Sequence, residues 1–271
     1  MTPFLAFHQK VVWNPGDYAV NSASQYAWAS ELIARLNLRG NERILDVGCG
    51  DGKISAELAR AIPHGNVLGI DASPDMIRFA QSTFPESQIS NLRFEVVDAR
   101  RIQLDREFDL VFSNAALHWV DDHQAFLRGA ASCLRAGGRL VTSCGGKGNA
   151  QDVFLALRSE MRVQRWRDFF RNLERPYFFY SLADYQEWLP RFGFQSRKVH
   201  LADEQTAFAG TEKFAGWIRT TWLPYTQRVP ESAREDFVAA VIARYLERHP
   251  LDAAGGVRVR TVRLEIDAVK V

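Results

Sequence analysis

The chain has 271 residues, of which 46% are hydrophobic and 24% charged, and its formal net charge is +2 at neutral pH. This length and composition are typical of a globular protein with one large α/β domain. So small a net charge gives no support for binding nucleic acid or membranes through bulk charge. The three cysteines lack the CxxC spacing of a zinc site and are odd in number, which argues against a disulfide framework and favours a reducing compartment.

The first residues, "MTPFLAFHQKVVW", have neither the basic region nor the long apolar run of a signal peptide. No stretch of the chain approaches the roughly 18 uncharged apolar residues of a membrane-spanning helix. We therefore expect a cytoplasmic protein.

Residues 42–144 alternate between strand-like and helix-like segments. This alternation of short apolar strands with helices predicts a parallel sheet covered by helices on both faces. Ser73 is a candidate N-cap with Pro74 in the first helical turn, and "RAGG" at 135–138 is expected to end a helix. The predicted strands are 42–47, 66–71, 92–98, 108–114 and 138–144, and helices are expected to begin near Gly52, Pro74 and Asp121.

The second half of the chain has a different pattern. Trp166, Phe169 and Phe170 fall on one helical face, which predicts an amphipathic helix within 158–180 that packs on the protein with its arginines outward. A sixth strand is expected at 194–201 and a final strand at 257–271. Residues 211–249 look helical, with "SARE" at 232–235 matching a capping box.

The segment "LDVGCGDG" at 45–52 follows the first strand and precedes a helix. A plain turn between a strand and a helix needs one glycine, whereas three alternate here, so the loop is expected to lie against a ligand. The dinucleotide fingerprint G-x-G-x-x-G/A is broken by Lys53 in its third slot, and no phosphate-binding G-x-x-x-x-G-K-[ST] is present. Asp71 ends the second strand, where an acidic residue accepts ribose hydroxyls in nucleotide-binding folds.

The spacing Asp46-x-Gly48-x-Gly50 resembles the S-adenosylmethionine-binding motif of class I methyltransferases. "VVDAR", "SNAALHW" and "LRAGGRLV" match further family segments in the same order. The resemblance implies an α/β fold with a doubly wound, seven-stranded, mostly parallel sheet, Rossmann-like, with helical cap insertions. It also implies S-adenosylmethionine as cofactor and S-adenosylhomocysteine as product. The cofactor-binding residues it implies are Asp46, Gly48, Cys49, Gly50, Asp71, Ala72, Met76, Asp98, Ala99 and Asn114.

Outside this core the chain is similar to the trans-aconitate and juvenile-hormone-acid methyltransferases. "YAVNSASQYAWASELI", "NAALHWVDDH" and the stretch from "FAGWIRTTW" to "ERHP" carry that similarity, which implies methyl ester formation on a small carboxylic acid. Gln25 and Trp119 match residues that orient the acceptor carboxylate in the juvenile-hormone-acid group. Arg219 is a candidate for binding a second carboxylate and Trp222 a further acceptor contact. His118 stands where the trans-aconitate enzymes commonly have Gln, and it is the third candidate catalytic residue, as a base for a hydroxyl acceptor.

These side chains also have purely structural interpretations. Trp119 could cover the edge of the sheet, Gln25 and Arg219 could be surface residues, and His118 could be a hydrogen-bonded wall residue. His118 and His123 are poorly spaced for a metal on one helical face, so no metal is expected.

We expect a single methyltransferase domain over 1–271. Residues 40–145 would bind the cofactor, and 1–30, 146–190 and 211–250 would form the substrate cap. The expected partner is a small-molecule acceptor, with no nucleic acid and no membrane, and the protein is expected to be a monomer or homodimer. The alternatives are O- or C-methylation of a hydroxylated lipid or polyketide-like compound, an RNA methyltransferase suggested by the basic aromatic stretch, and a cofactor-binding interaction protein without turnover.

Overall fold

The computed structural model of the protein describes residues 23–105 and 107–271, and for 23–27 the backbone alone. Its strands are β1 (Arg43–Val47), β2 (Asn66–Asp71), β3 (Leu92–Val96), β4 (Phe108–Asn114), β5 (Leu134–Gly145), β6 (Phe194–Phe208) and β7 (Val257–Lys270). They form one sheet in the order β3-β2-β1-β4-β5-β7-β6. β1 to β5 pair in parallel, and β7 pairs antiparallel with β5. The predicted fold class, a mostly parallel seven-stranded α/β sheet, is confirmed.

The helices connect these strands as the apolar periodicity predicts for the first half of the chain. They are α1 (Ala23–Ala34), α2 (Lys53–Ala61), α3 (Pro74–Thr83), α4 (His123–Cys133), α5 (Gln151–Glu160), α6 (Leu182–Arg191), α7 (Thr211–Thr221), α8 (Leu223–Thr226) and α9 (Arg234–Leu246). Ser73 caps α3 by accepting a hydrogen bond from the backbone N–H of Met76. The three predicted helix starts are therefore confirmed to within two residues.

Two local predictions about helix ends are wrong. α4 already ends at Cys133, and "RAGG" lies inside β5, where the pairing with β4 shifts register between Phe108 and Leu110. The "SARE" segment forms no capping box, since α9 begins after Ala233 without a side-chain cap. In both places the surrounding packing overrides a short sequence signal.

The amphipathic helix predicted within 158–180 is also not formed. α5 ends at Glu160, a short 3₁₀ turn spans Arg167–Phe170, and residues 173–180 have no regular secondary structure. Trp166 and Phe170 are nonetheless buried, because both pack against Phe237 of α9 with ring centroids 5.4 and 5.3 Å apart. The aromatic residues thus serve packing, as the apolar pattern suggested, but without a continuous helix.

The chain divides into two compact units. The helical unit contains Ala150–Pro176 and Glu204–Thr261, and the sheet unit contains residues 23–149 together with Tyr177–Asp203 and Val262–Val271. In the sheet unit two apolar clusters pack on the strands, one including Leu45, Phe126 and Leu264 and the other Leu58 and Phe112. None of the described helices has the length and apolar character needed to cross a membrane.

The bend after β1 requires glycine for a steric reason. Gly48 has φ +76°, and a Cβ at this position would lie 2.2 Å from the Cβ of Ala116, in the loop after β4. Gly193, which follows α6, has a nearly identical φ of +77°, but a Cβ there would meet nothing within 4 Å. Substituting alanine at each of these two glycines therefore separates the free-energy cost of a left-handed backbone from the additional cost of a steric clash.

We expect Gly193→Ala to lower the free energy of unfolding by about 1–2 kcal/mol, the cost of a left-handed alanine. Gly48→Ala should lower it by roughly 2–5 kcal/mol, because overpacking against Ala116 is added. Urea unfolding followed by circular dichroism measures both. Equal losses in the two variants would contradict the close approach of Gly48 to Ala116.

Candidate functional site

The glycine loop is bent so that its backbone donors are used within the protein. The N–H groups of Gly48 and Cys49 both donate to the carbonyl of Ile70 at 2.7 and 3.0 Å, and Gly52 donates to Cys49. The N–H of Gly50 donates to the Asp71 carboxylate at 3.1 Å. A loop that cradles phosphates keeps such N–H groups free for the anion. This loop is therefore unsuited to a pyrophosphate.

The charge around the loop is negative. Asp46 is 2% exposed and accepts a 2.6 Å hydrogen bond from Ser55, and burial together with the charge of Asp71 raises the pKa of Asp46 to about 7. Asp71 accepts hydrogen bonds from the backbone of Gly50 and Ser73, and burial raises its pKa as well. Such carboxylates favour a ligand with positive charge and hydroxyl donors. The residues present thus fit a cationic nucleoside better than a dinucleotide.

The loop after β3 holds an ion-paired aspartate. Asp98 caps a 3₁₀ turn spanning Ala99–Arg101 by accepting from the Arg100 N–H at 2.8 Å. The Arg100 guanidinium also contacts Asp98 at 2.6 Å and Asp121 at 2.9 Å. Burial would raise the pKa of Asp98, but the hydrogen bonds and charge of Arg100 outweigh it and lower that pKa. Asp98 is therefore an ionised acceptor at neutral pH.

The remaining predicted cofactor residues lie around the same edge. β1 and β4 are neighbours in the sheet while strand order reverses between them, which is where ligands bind in open α/β sheets. Asn114 is the last residue of β4, and the next residue, Ala115, has a left-handed backbone with φ +54°. Cys49 and Met76 are buried, Ala72 is exposed and Ala99 is half-buried. All ten predicted cofactor residues thus belong to the sheet unit.

His118 and Trp119 lie on a 3₁₀ turn, Leu117–Trp119, just after β4. His123 holds this turn by donating through Nε2 to the Leu117 carbonyl at 2.7 Å, while its Nδ1 accepts from the Tyr185 hydroxyl at 2.7 Å. These roles follow because only a donor can bond a carbonyl. His123 is therefore a positioning residue for the turn, and burial lowers its pKa to about 4.

The ring of His118 is neutral, and its hydrogen-bond geometry fixes its tautomer. The N–H of Gly145 donates to His118 Nδ1 at 3.3 Å, so the ring proton lies on Nε2. Burial and the nearby His123 lower the pKa of His118 to about 4. The nitrogen that could accept a proton is occupied, which leaves His118 as a hydrogen-bond donor rather than a base at neutral pH.

Aromatic rings that the sequence did not assign to the site surround this turn. Tyr177 lies 4.7 Å from Trp119 between ring centroids, and Tyr177 and Phe179 are stacked 5.8 Å apart. The N–H of Phe178 donates to the His118 carbonyl at 2.9 Å, which ties the segment to the turn. No sequence signal indicated this extended path, because the same aromatics also suit a helical face.

The other three residues predicted to contact the acceptor are not part of the His118 turn. Gln25 belongs to α1, and its side chain lies outside the described residues. Arg219 and Trp222 belong to the helical unit. Arg219 is paired with Glu212 and Glu235, both at 2.9 Å, and Trp222 is buried among Phe154, Trp217 and Tyr225. The structure thus brings His118 and Trp119 together within the sheet unit, and within the helical unit it pairs Arg219 with two glutamates.

The cysteines and the potential metal ligands among the described residues indicate no second reactive or metal-binding site. Cys49, Cys133 and Cys144 are free, buried thiols, and burial raises the pKa of each. Within the described ranges, no group of three or more His, Cys, Asp or Glu side chains is arranged to hold a metal ion.

Comparison with known proteins agrees with this geometry. The sequence profile of a family described as "Methyltransferase domain" matches residues 38–188, more than half of the chain. An uncharacterized methyltransferase of Schizosaccharomyces pombe is 33% identical over 191 residues, covering 69% of this chain and 72% of that protein. The trans-aconitate 2-methyltransferase of Escherichia coli is 28% identical over 263 residues, covering 94% and 97%.

A solved structure supports the fold. The phosphoethanolamine N-methyltransferase 2 of Haemonchus contortus, determined in complex with S-adenosyl-L-methionine, has a TM-score of 0.62 at 16% identity, covering 100% of this chain and 60% of that one. The alternative of a cofactor-binding interaction protein without turnover has no support, because the sequence relatives it matches are named as methyltransferases. The chain belongs to the methyltransferase domain family and is a class I, S-adenosylmethionine-dependent methyltransferase.

Proposed function

We propose that this protein transfers a methyl group from S-adenosylmethionine to a carboxylate oxygen of a small acid. When bound, the cofactor supplies a methyl group on a positively charged sulfur. Asp46 and the bare backbone at Gly48 and Gly50 would hold the charged methionine tail of the cofactor. Asp71 would accept hydrogen bonds from the ribose hydroxyls. Asp98 and Asn114 complete the proposed cofactor contacts, on the side of the base.

The state of His118 is the observation that carries the choice of acceptor. Methylation of a hydroxyl needs a base, whereas a carboxylic acid with a pKa near 4 is already ionised at neutral pH. The acceptor nitrogen of His118 is occupied by the Gly145 N–H, and its pKa is about 4. This supports an acceptor that arrives ionised, with His118 Nε2–H and the Trp119 indole as neutral donors that orient it.

A neutral donor has a chemical advantage here. A tight ion pair would withdraw electron density from the attacking oxygen, while a neutral N–H holds it in line with less loss of nucleophilicity. Trp119, Tyr177 and Phe179 form an apolar surround that would exclude competing water. We do not include Arg219, because two glutamates already pair with its guanidinium.

The similarity to trans-aconitate 2-methyltransferase over nearly the whole chain supports the same acceptor class. The RNA alternative has less support, since Trp166 and Phe170 are packed against Phe237 rather than exposed for base stacking.

Asp71→Asn is expected to weaken S-adenosylmethionine binding at least about tenfold, because an ionised acceptor of ribose hydroxyls is lost. Isothermal titration calorimetry measures this change. Asp75→Asn, at a half-exposed carboxylate in the first turn of α3, the helix that follows Asp71 and β2, is the matched control and should bind as the wild type does. Equal affinity in the Asp71 variant would contradict the proposed cofactor contact.

The acceptor class is tested by incubating the protein with labelled S-adenosylmethionine and a panel of mono-, di- and tricarboxylic acids, including trans-aconitate. At saturating cofactor, so that titration of Asp46 does not contribute, kcat/KM should be constant between pH 6 and 8. It should fall below about pH 5, as the acceptor and then His118 become protonated.

Two outcomes would contradict the proposal. The first is methylation of a hydroxylated lipid or polyketide-like compound but of no acid. The second is a rate that rises with pH around 6 to 7 and loses that dependence in His118→Ala, which would identify His118 as a base.

A further inference from the structure

A buried tyrosine on α6 bonds the histidine that holds the His118 turn. Tyr185 is fully buried, and its hydroxyl lies 2.7 Å from His123 Nδ1, with the two rings edge to face and their centroids 5.7 Å apart. α6 begins at a capping box formed by Ser181 and Asp184, which fixes the helical turn that carries Tyr185. Burial raises the pKa of Tyr185, so the hydroxyl keeps its proton at neutral pH and donates it to His123.

The ring of His123 is held on three sides. Its Nε2 lies 2.7 Å from the Leu117 carbonyl, its Nδ1 faces Tyr185, and its ring centroid lies 4.4 Å from that of Tyr180. A neutral imidazole carries a single N–H, and the Leu117 carbonyl requires it at Nε2. Nδ1 therefore needs a donor, which the Tyr185 hydroxyl supplies. Without that hydroxyl a buried acceptor loses its partner, which penalises the ring orientation that serves Leu117.

The Leu117 carbonyl is the point at which His123 acts on the turn. It accepts two hydrogen bonds, one from the Val120 N–H at 2.9 Å, which closes the turn, and one from His123. A carbonyl oxygen has two lone pairs, so both are used here. The peptide plane between Leu117 and His118 is thereby fixed, and with it the directions in which the side chains of His118 and Trp119 leave the backbone.

We propose that Tyr185 is a positioning residue for methyl transfer, which acts through His123 and the Leu117 carbonyl to aim His118 and Trp119 at the acceptor. The inference rests on the proposed function, in which these two side chains orient the acceptor, and deepens it. Methyl transfer needs the acceptor in line with the methyl group, so a turn free to rotate should lower kcat more than it weakens binding. A purely structural role for Tyr185 would lower the stability of the protein and leave kcat unchanged.

The first test uses Tyr185→Phe, which removes the hydroxyl and keeps the ring. With the acid of the panel above that reacts fastest, kcat should fall by about 10- to 30-fold. KM for the acid should change by less than about threefold, and the Kd of S-adenosylhomocysteine, from calorimetry, by less than about twofold. The matched control is Tyr245→Phe in α9, at a buried tyrosine whose hydroxyl donates to the Arg258 carbonyl at 2.7 Å. It should lose stability similarly and keep the wild-type kcat.

A double-mutant cycle tests whether Tyr185 acts through His123. In a His123→Ala background, adding Tyr185→Phe should lower kcat by no further factor, because the group that transmits the effect is already gone. Additive losses would contradict the action through His123.

Nitrogen-15 NMR of the His123 ring gives a readout without turnover. In the ligand-free wild type the proton should be on Nε2, with Nδ1 bare and hydrogen-bonded. In Tyr185→Phe the Nδ1 signal should shift toward that of a nitrogen without a hydrogen bond, and the Nε2 proton should exchange faster with water. Tyr245→Phe should leave both signals unchanged.

A wild-type His123 ring protonated on Nδ1, an unchanged kcat in Tyr185→Phe or an equal loss of kcat in Tyr245→Phe would overturn the positioning role. If no acid is methylated, but kcat for another acceptor and the NMR signals respond as described, the positioning role stands and the proposed function fails. If Tyr185→Phe methylates acids at the wild-type rate, the proposed function stands and the positioning role fails.

Discussion

The bend after β1 is held by backbone hydrogen bonds to the neighbouring strand, and the candidate site depends on this attachment. Gly48 and Cys49 donate to Ile70, and Gly50 donates to Asp71, so three hydrogen bonds attach the loop to the end of β2. Using these donors internally leaves a surface of bare backbone flanked by carboxylates. This edge suits a positively charged cofactor without phosphates, and the same constraint explains why glycine is needed where Ala116 approaches.

A second constraint acts on the turn that carries His118 and Trp119, which we propose faces the acceptor. The carboxyl end of β5 supplies the Gly145 N–H that fixes the tautomer of His118, and α4 supplies His123, which fixes the turn carrying it. Both histidines are held neutral by burial. A catalytic pocket built from neutral donors can orient an anion without competing for its charge. A reaction in which a base must remove a proton from the acceptor is less well served by these two histidines, because each is a hydrogen-bonded, neutral ring with a lowered pKa.

Much of the fold could be predicted because its signals are local. The β1 segment, the glycine bend and α2 form one continuous pattern, and Ser73 with Pro74 specifies the start of α3 within a few residues. The stretch around Trp166 could not be predicted in this way, because the burial of its rings is decided by Phe237, far away in sequence. The proposed cofactor residues were predicted from the same local signals as the strands, since most of them follow strand ends. Tyr177 and Phe179 were missed as neighbours of the His118 turn, because contacts with Trp119 and His118, far away in sequence, leave no local signal.

The thiol of Cys49 sits in the middle of the glycine bend, and burial with the neighbouring carboxylates keeps it protonated and shielded. Since the thiolate is the species that alkylating reagents attack, this cysteine reacts only when the bend detaches from β2. The other two cysteines are buried in the sheet unit and should react only on wider unfolding. The rate of Cys49 alkylation, followed by mass spectrometry, is thus an intrinsic probe of loop opening, and a bound nucleoside should slow it.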